Sequence, residues 1–94
     1  MKTLKRSFYL IPIDGKKSFY NKATVNVYSN GEIELKSYNT IVCRIKNRKL
    51  YRIWDGYSIT TMRHINAFLN AYDMETINKK QWEQLEISHK GVSL

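Results

Sequence analysis

"WDGYSITTMRHINAFLNAY", residues Trp54 to Tyr72, is where the chain changes character. It opens like the end of a strand, turns at Asp55-Gly56 and continues at helical spacing. Met62, Ile65, Leu69 and Tyr72 form one apolar stripe, with Phe68 at its edge. Ser58 fits the N-cap, because its hydroxyl can accept from a backbone N–H that the helix leaves unpaired. Tyr57 then stands before the cap and can pack on Met62 as a hydrophobic staple. A helix over about 58–72 follows. On its wheel Thr60, Arg63, His64 and Ala67 fall on the outward side.

Upstream of this stretch, alternation dominates. "SFYLIPI" (Ser7 to Ile13) reads as a strand ended by Asp14-Gly15. "KATVNVYS" sets Ala23, Val25 and Val27 against Lys22, Thr24, Asn26 and Tyr28. Asn30-Gly31 accepts positive φ and suits a hairpin. "EIELKSY" continues through Ile33 and Leu35, and "TIVCRIK" puts Ile41, Cys43 and Ile45 on one face. "NRK" turns the chain into "LYRIW", Leu50 to Trp54. Short strands joined by short turns predict an antiparallel meander of four to five strands over about residues 6–54.

A sheet with one apolar face needs a cover. Downstream, "NKKQWEQLEI" supplies a second helix over about 78–87, with Asn78 and Gln81 as a capping box and Trp82 and Leu85 inward. "SHKGVSL" reads as a tail that frays over about 88–94. The expected fold is therefore α+β, a single domain over residues 1–94, with two C-terminal helices on one face of the sheet.

Composition limits the function. At 43% apolar and 26% charged, the 94 residues match an ordinary globular domain with one modest core. Lone Cys43 cannot form an internal disulfide. No apolar run approaches the roughly 20 residues that span a membrane. The start "MKTLKRSFYLIPIDG" mimics a signal peptide, but Pro12 and Asp14 break its apolar piece. A cytoplasmic protein without a membrane partner is expected. The net charge of +8 is uneven. Lys2, Lys5, Arg6, Lys16, Lys17 and Lys22 face only Asp14 in the first 22 residues, whereas acids outnumber bases after residue 63. That field favours anionic partners and weakens with salt.

Three segments carry a resemblance: "SYNTIV" (Ser37 to Val42), "WDGYSITTMRHINAFL" (Trp54 to Leu69) and "NKKQW" (Asn78 to Trp82). Their pattern is a Ser-Tyr-x-Thr strand, a Tyr-Ser-x-Thr-Thr-x-x-His helix start and a late Lys-Lys helix. It resembles a group of small phage and mobile-element proteins of low-GC bacteria, over about residues 33–85. The resemblance implies an origin rather than an activity. Small phage proteins of this size are often inhibitors of host defences. The expected function is therefore a non-catalytic counter-defence inhibitor, similar in kind to anti-CRISPR proteins, whose basic surface engages an anionic partner in the host cytoplasm. Its partner would be a host defence protein or ribonucleoprotein, or a nucleic acid. The alternative is a general nucleic-acid or nucleotide-binding accessory protein.

Two sets of residues are candidates for that binding. At the helix start, Ser58, Thr60, Thr61, Arg63 and His64 combine hydroxyls, a cation and the positive end of the helix dipole, which suits a phosphate. The competing account is a capped helix whose hydroxyls serve only its backbone, with Asp55 nearby to repel an anion. On the polar sheet face, Lys22, Tyr28, Lys36, Tyr38, Arg44, Lys46 and Arg52 interleave rings and cations, as single-stranded nucleic acid requires. Glu32 and Glu34 share that face, and a solvated face is the plainer account. Catalysis has less support. Cys43 points inward and His64 outward, and the two histidines, His64 and His89, lack the spacing of a metal site. No cofactor is implied.

Overall fold

A computed structural model of the chain describes residues 3–15 and 18–88. Five strands lie in sequence order in one antiparallel sheet: β1 (Leu4–Tyr9), β2 (Ala23–Tyr28), β3 (Ile33–Ser37), β4 (Thr40–Lys46) and β5 (Lys49–Arg52). Two helices follow, α1 (Ile59–Ala71) and α2 (Lys79–Gln84). This is the α+β meander expected from the alternation.

The inner sheet face is built from Ala23, Val25, Leu35, Cys43 and Ile45, all buried. Met62, Ile65, Phe68 and Leu69 of α1 and Trp82 of α2 close over them in one core. Among the described residues, no helix is long and apolar enough to cross a membrane.

Local chemistry explains most boundaries. In the β2–β3 loop Gly31 has φ 91, and its N–H is bonded to Tyr28 O. That is where glycine closes such a loop. Asn47 and Arg48 both have positive φ between β4 and β5. This is the backbone of a two-residue hairpin whose twist matches its strands. Ser58 caps α1 by accepting from Thr61 N–H, and Asn78 with Gln81 forms the reciprocal capping box of α2. Gly56 is needed for space: a Cβ there would run into the Trp54 indole.

Four expectations are corrected. The first strand is Leu4–Tyr9, not Ser7 to Ile13. Its ladder with β2 ends at Tyr9↔Thr24, and Pro12 has no N–H with which to extend it. Ile41 does not join Cys43. A register shift opposite Leu35 pairs Ile41 with Lys36 and leaves Val42 buried. Such an extra residue reverses the alternation beyond it. The second helix stops at Gln84 rather than 87, because Leu85 is already extended. Ile87 then bridges to Arg52, and Ser88 N–H donates to Arg52 O at 2.6 Å. Ser88 is therefore tied to the β5 edge, and residues 89–94 of the expected tail lie outside the described residues.

Candidate functional site

Between β1 and β2, Asp14 and Phe19 lie against one flank of α1. Phe19 is buried there, its ring centroid 4.5 Å from that of His64 in an edge-on arrangement. Asp14 holds Arg63 by two bonds, Nε to Oδ2 at 2.7 Å and Nη2 to Oδ1 at 3.0 Å. The Arg63 guanidinium also lies 5.0 Å from the Phe19 ring centre. Asp14 and Phe19 thus cover part of the side of α1 that the wheel leaves to solvent.

The outward group is corrected accordingly. His64 is 0% exposed, and Thr61 and Ala67 are also buried, while Thr60 is exposed and Arg63 half-buried. Ser58 and Thr61 serve the cap, with Thr61 N–H donating to Ser58 Oγ at 3.0 Å. Thr61 Oγ1 lies 3.1 Å from Ser37 Oγ, and Ser37 Oγ lies 2.7 Å from His64 Nδ1. Burial, and then the charge of Arg63, lower the His64 pKa from 6.5 to about 4, so the imidazole is neutral at pH 7. Among the described residues, His64 Nε2 has no hydrogen-bond partner.

The expected basic face divides. Tyr28, Lys36, Arg44 and Lys46 share the outer face of the sheet: Lys36 is opposite Thr24, Arg44 opposite Glu34 and Lys46 opposite Lys49, and Tyr28 lies two residues beyond Asn26 on β2. There Ser7 Oγ donates to Asn26 Oδ1, Asn26 Nδ2 donates to Glu34 Oε1, and Tyr28 OH donates to the same oxygen at 2.8 Å. Arg44 Nε stands 3.4 Å from Glu34 Oε2. Burial first, and then the Glu34 bond, push the Tyr28 hydroxyl up to about 12. This network crosses four strands and holds Tyr28 and Arg44 in place.

Arg52 does not belong to that face. It pairs with Cys43, points inward and is buried. Its guanidinium donates to the carbonyls of Trp54, Trp82, Leu85 and Gly56, and stacks 4.7 Å from the Trp82 ring centre. Trp82 and Leu85 end α2, where exposed carbonyls favour a cation. Arg52 is a structural clamp.

Lys22 and Tyr38 leave the outer face for a different reason. Both sit at the end of the sheet beside the α1 start, joined by Tyr38 N–H to Lys22 O at 2.7 Å. With Ser18, Phe19, Tyr20, Thr60, Arg63 and His64 they line a cleft of about 400 Å³. The fold thus brings together members of both candidate sets: Lys22 and Tyr38 from one, and Thr60, Arg63 and His64 from the other. Asp14, Phe19, Tyr20 and Ser37 complete the surroundings and are not among the candidates. Ser37 carries a signal, since it opens the Ser-Tyr-x-Thr segment. Asp14 and Phe19 carry none.

Burial pushes the Cys43 thiol up and closes it off from ligands. Among the described residues, no three His, Cys, Asp or Glu side chains converge on a metal position. No curated protein and no solved structure matches the chain. One family model does, over residues 9–84, and the chain belongs to that family, described as a family of unknown function (DUF8033).

Proposed function

We propose that the protein is a non-catalytic binding protein whose basic outer sheet face engages a nucleic-acid strand, free or held in a host ribonucleoprotein. One observation carries the reading. Glu32 and Glu34 are 4% and 5% exposed, so the carboxylates of that face are submerged, while Lys36, Arg44 and Lys46 are half-buried and Lys49 is exposed. The face therefore keeps its acids beneath the surface, with Arg44 paired to Glu34, and presents Lys36 and Lys49 to solvent. Lys46 and Lys49 are also directly opposed across the β4–β5 hairpin, which concentrates positive charge at that end of the face. Tyr9 and Tyr51 stand on the same face and add rings on which bases can stack.

The counter-defence role, in a phage or mobile-element setting, is supported by the sequence resemblance. The alternative, a general nucleic-acid-binding accessory, is favoured by the interleaving of tyrosines with lysines. Pull-down from host lysate with and without nuclease separates them. A nuclease-resistant defence protein or ribonucleoprotein supports the inhibitor. Recovery of nucleic acid alone supports the accessory role. Retention of neither defeats both.

A further inference from the structure

The cleft above His64 has features that helix capping does not explain. Tyr38 has φ 55 at the first position of the two-residue β3–β4 loop, and Asn39 after it does not have positive φ. Glycine is usual at that position because a side chain strains the backbone there. Tyr20, across the cleft, also has positive φ, at 51. Both tyrosines are held in an unfavourable backbone and yet are 66% (Tyr20) and 52% (Tyr38) exposed, so burial does not offset the strain. Strain of this kind gathers where a ligand is clamped.

The floor of the cleft supplies the second observation. His64 is fully buried, lines the cleft, and has Nδ1 engaged by Ser37 Oγ. Its other ring nitrogen points away from Ser37 and has no partner among the described residues. A buried polar atom left unpaired is costly, and a ligand that parts the side chains sealing Nε2 and pairs it recovers that cost. The Tyr38 ring is tilted over the imidazole, with centroids 5.8 Å apart. Lys22 is exposed on the rim, and the other rim cation, Arg63, is bonded to Asp14.

From these features we infer that the cleft is a binding site for one nucleotide unit. The base stacks on the Tyr38 and Tyr20 rings with its polar edge toward His64 Nε2, and the phosphate lies against Lys22 and the Thr60 hydroxyl. The cleft of about 400 Å³ is of the size that small-ligand pockets take. A neutral imidazole can either donate to or accept from a heterocycle, which a permanently charged group cannot. The site shares with the proposed function only the phosphate chemistry of the ligand, and none of Lys36, Lys46 or Lys49 contributes to it.

The test follows the side-chain ¹⁵N signal of His64 Nε2 during titration with nucleoside 5′-monophosphates, a single-stranded trinucleotide and inorganic phosphate. A saturable shift with a mononucleotide is expected if free nucleotides are the source, and with the trinucleotide alone if a strand is. An equal shift with inorganic phosphate, or no shift with any nucleotide, overturns the site. Tyr38→Gly should hold or raise the melting temperature and abolish the shift; a retained shift overturns the role of the ring. Should that variant fail to fold, Lys22→Gln on the exposed rim decides. It should weaken the mononucleotide by about tenfold, the scale of one charge-assisted contact, and an unchanged affinity overturns the phosphate placement. Failure here is distinct from failure of the basic face, because Lys36→Glu with Lys49→Glu leaves the cleft intact.

Discussion

Ser37 Oγ, on the last residue of β3, lies 2.7 Å from Nδ1 of His64 in the second turn of α1. With Thr61 Oγ1 at 3.1 Å from the same oxygen, it is a buried polar link between sheet and helix. A buried link of this kind fixes the rotation of α1 over the sheet, and burial, with the charge of Arg63, requires His64 to stay neutral there.

That condition makes stability depend on pH. The folded His64 pKa is depressed from 6.5 to about 4, so the unfolded chain takes up the proton first. Its contribution is complete above about pH 6.5, falls as pH drops through the window to about 4, and is flat below. At about 1.4 kcal/mol per pH unit, the loss is on the order of 3 kcal/mol. Urea unfolding near neutral and near mildly acid pH should show it. His64→Gln should remove that part of the slope and leave the part due to carboxylates.

Arg52→Met should destabilise the protein by about 3 kcal/mol or more. The carbonyls that end α2 and those of Trp54 and Gly56 lose their donor together, and each buried orphan costs roughly 1–3 kcal/mol. Arg52→Lys should rescue little, because an ammonium cannot reproduce the planar fork. Trp fluorescence during denaturant unfolding reads both, since Trp82 lies under the guanidinium. Stability unchanged in Arg52→Met would return Arg52 to the surface set.

Leu69→Ala tests the helix face. Leu69 is buried among core residues, so the change should cost about 2–5 kcal/mol in chemical denaturation. A loss below about 0.5 kcal/mol, the range of a surface substitution, would mean that the face is misplaced.

Arg63 and Asp14 should behave as a unit. Alanine at either position breaks the same pair of hydrogen bonds, so the double variant should melt close to the worse single variant. Strictly additive melting-temperature losses would show that the β1–β2 connection is not held to α1 by this pair.

The elements most legible in the sequence are those fixed by neighbours in the chain. Ser58 and Asn78 cap their helices because capping is a relation across three residues. Met62, Ile65 and Leu69 are buried because a helical stripe needs no knowledge of what covers it. Ile41 and His64 are misplaced by sequence alone for the opposite reason. The Val42 bulge that moves Ile41 to the outer face depends on how β4 pairs with β3. His64 is inward because Phe19 and Asp14, distant in sequence, pack on that flank of α1, and nothing near His64 in the sequence announces it. Arg52 follows the inward register of β5, but its partners are carbonyls around Gly56 and at the end of α2, which side-chain patterns do not reveal. The fold thus groups the candidate residues differently from the sequence. Lys22 and Tyr38 belong with Thr60 and Arg63 around His64, and the remaining lysines belong to the sheet.

The central claim is that the outer sheet face binds phosphates, and it is tested most directly by the salt dependence of binding to single-stranded RNA and DNA. Affinities of the native chain and of the Lys36→Glu, Lys49→Glu variant are measured between about 50 and about 200 mM salt. The account predicts that binding weakens about tenfold or more across that range, because each neutralised phosphate releases counterions. The variant should bind more weakly throughout, with a slope reduced by about one for each phosphate that its lysines no longer neutralise. Binding that ignores salt, no binding at the lowest salt, or a variant as tight as the native chain would contradict it.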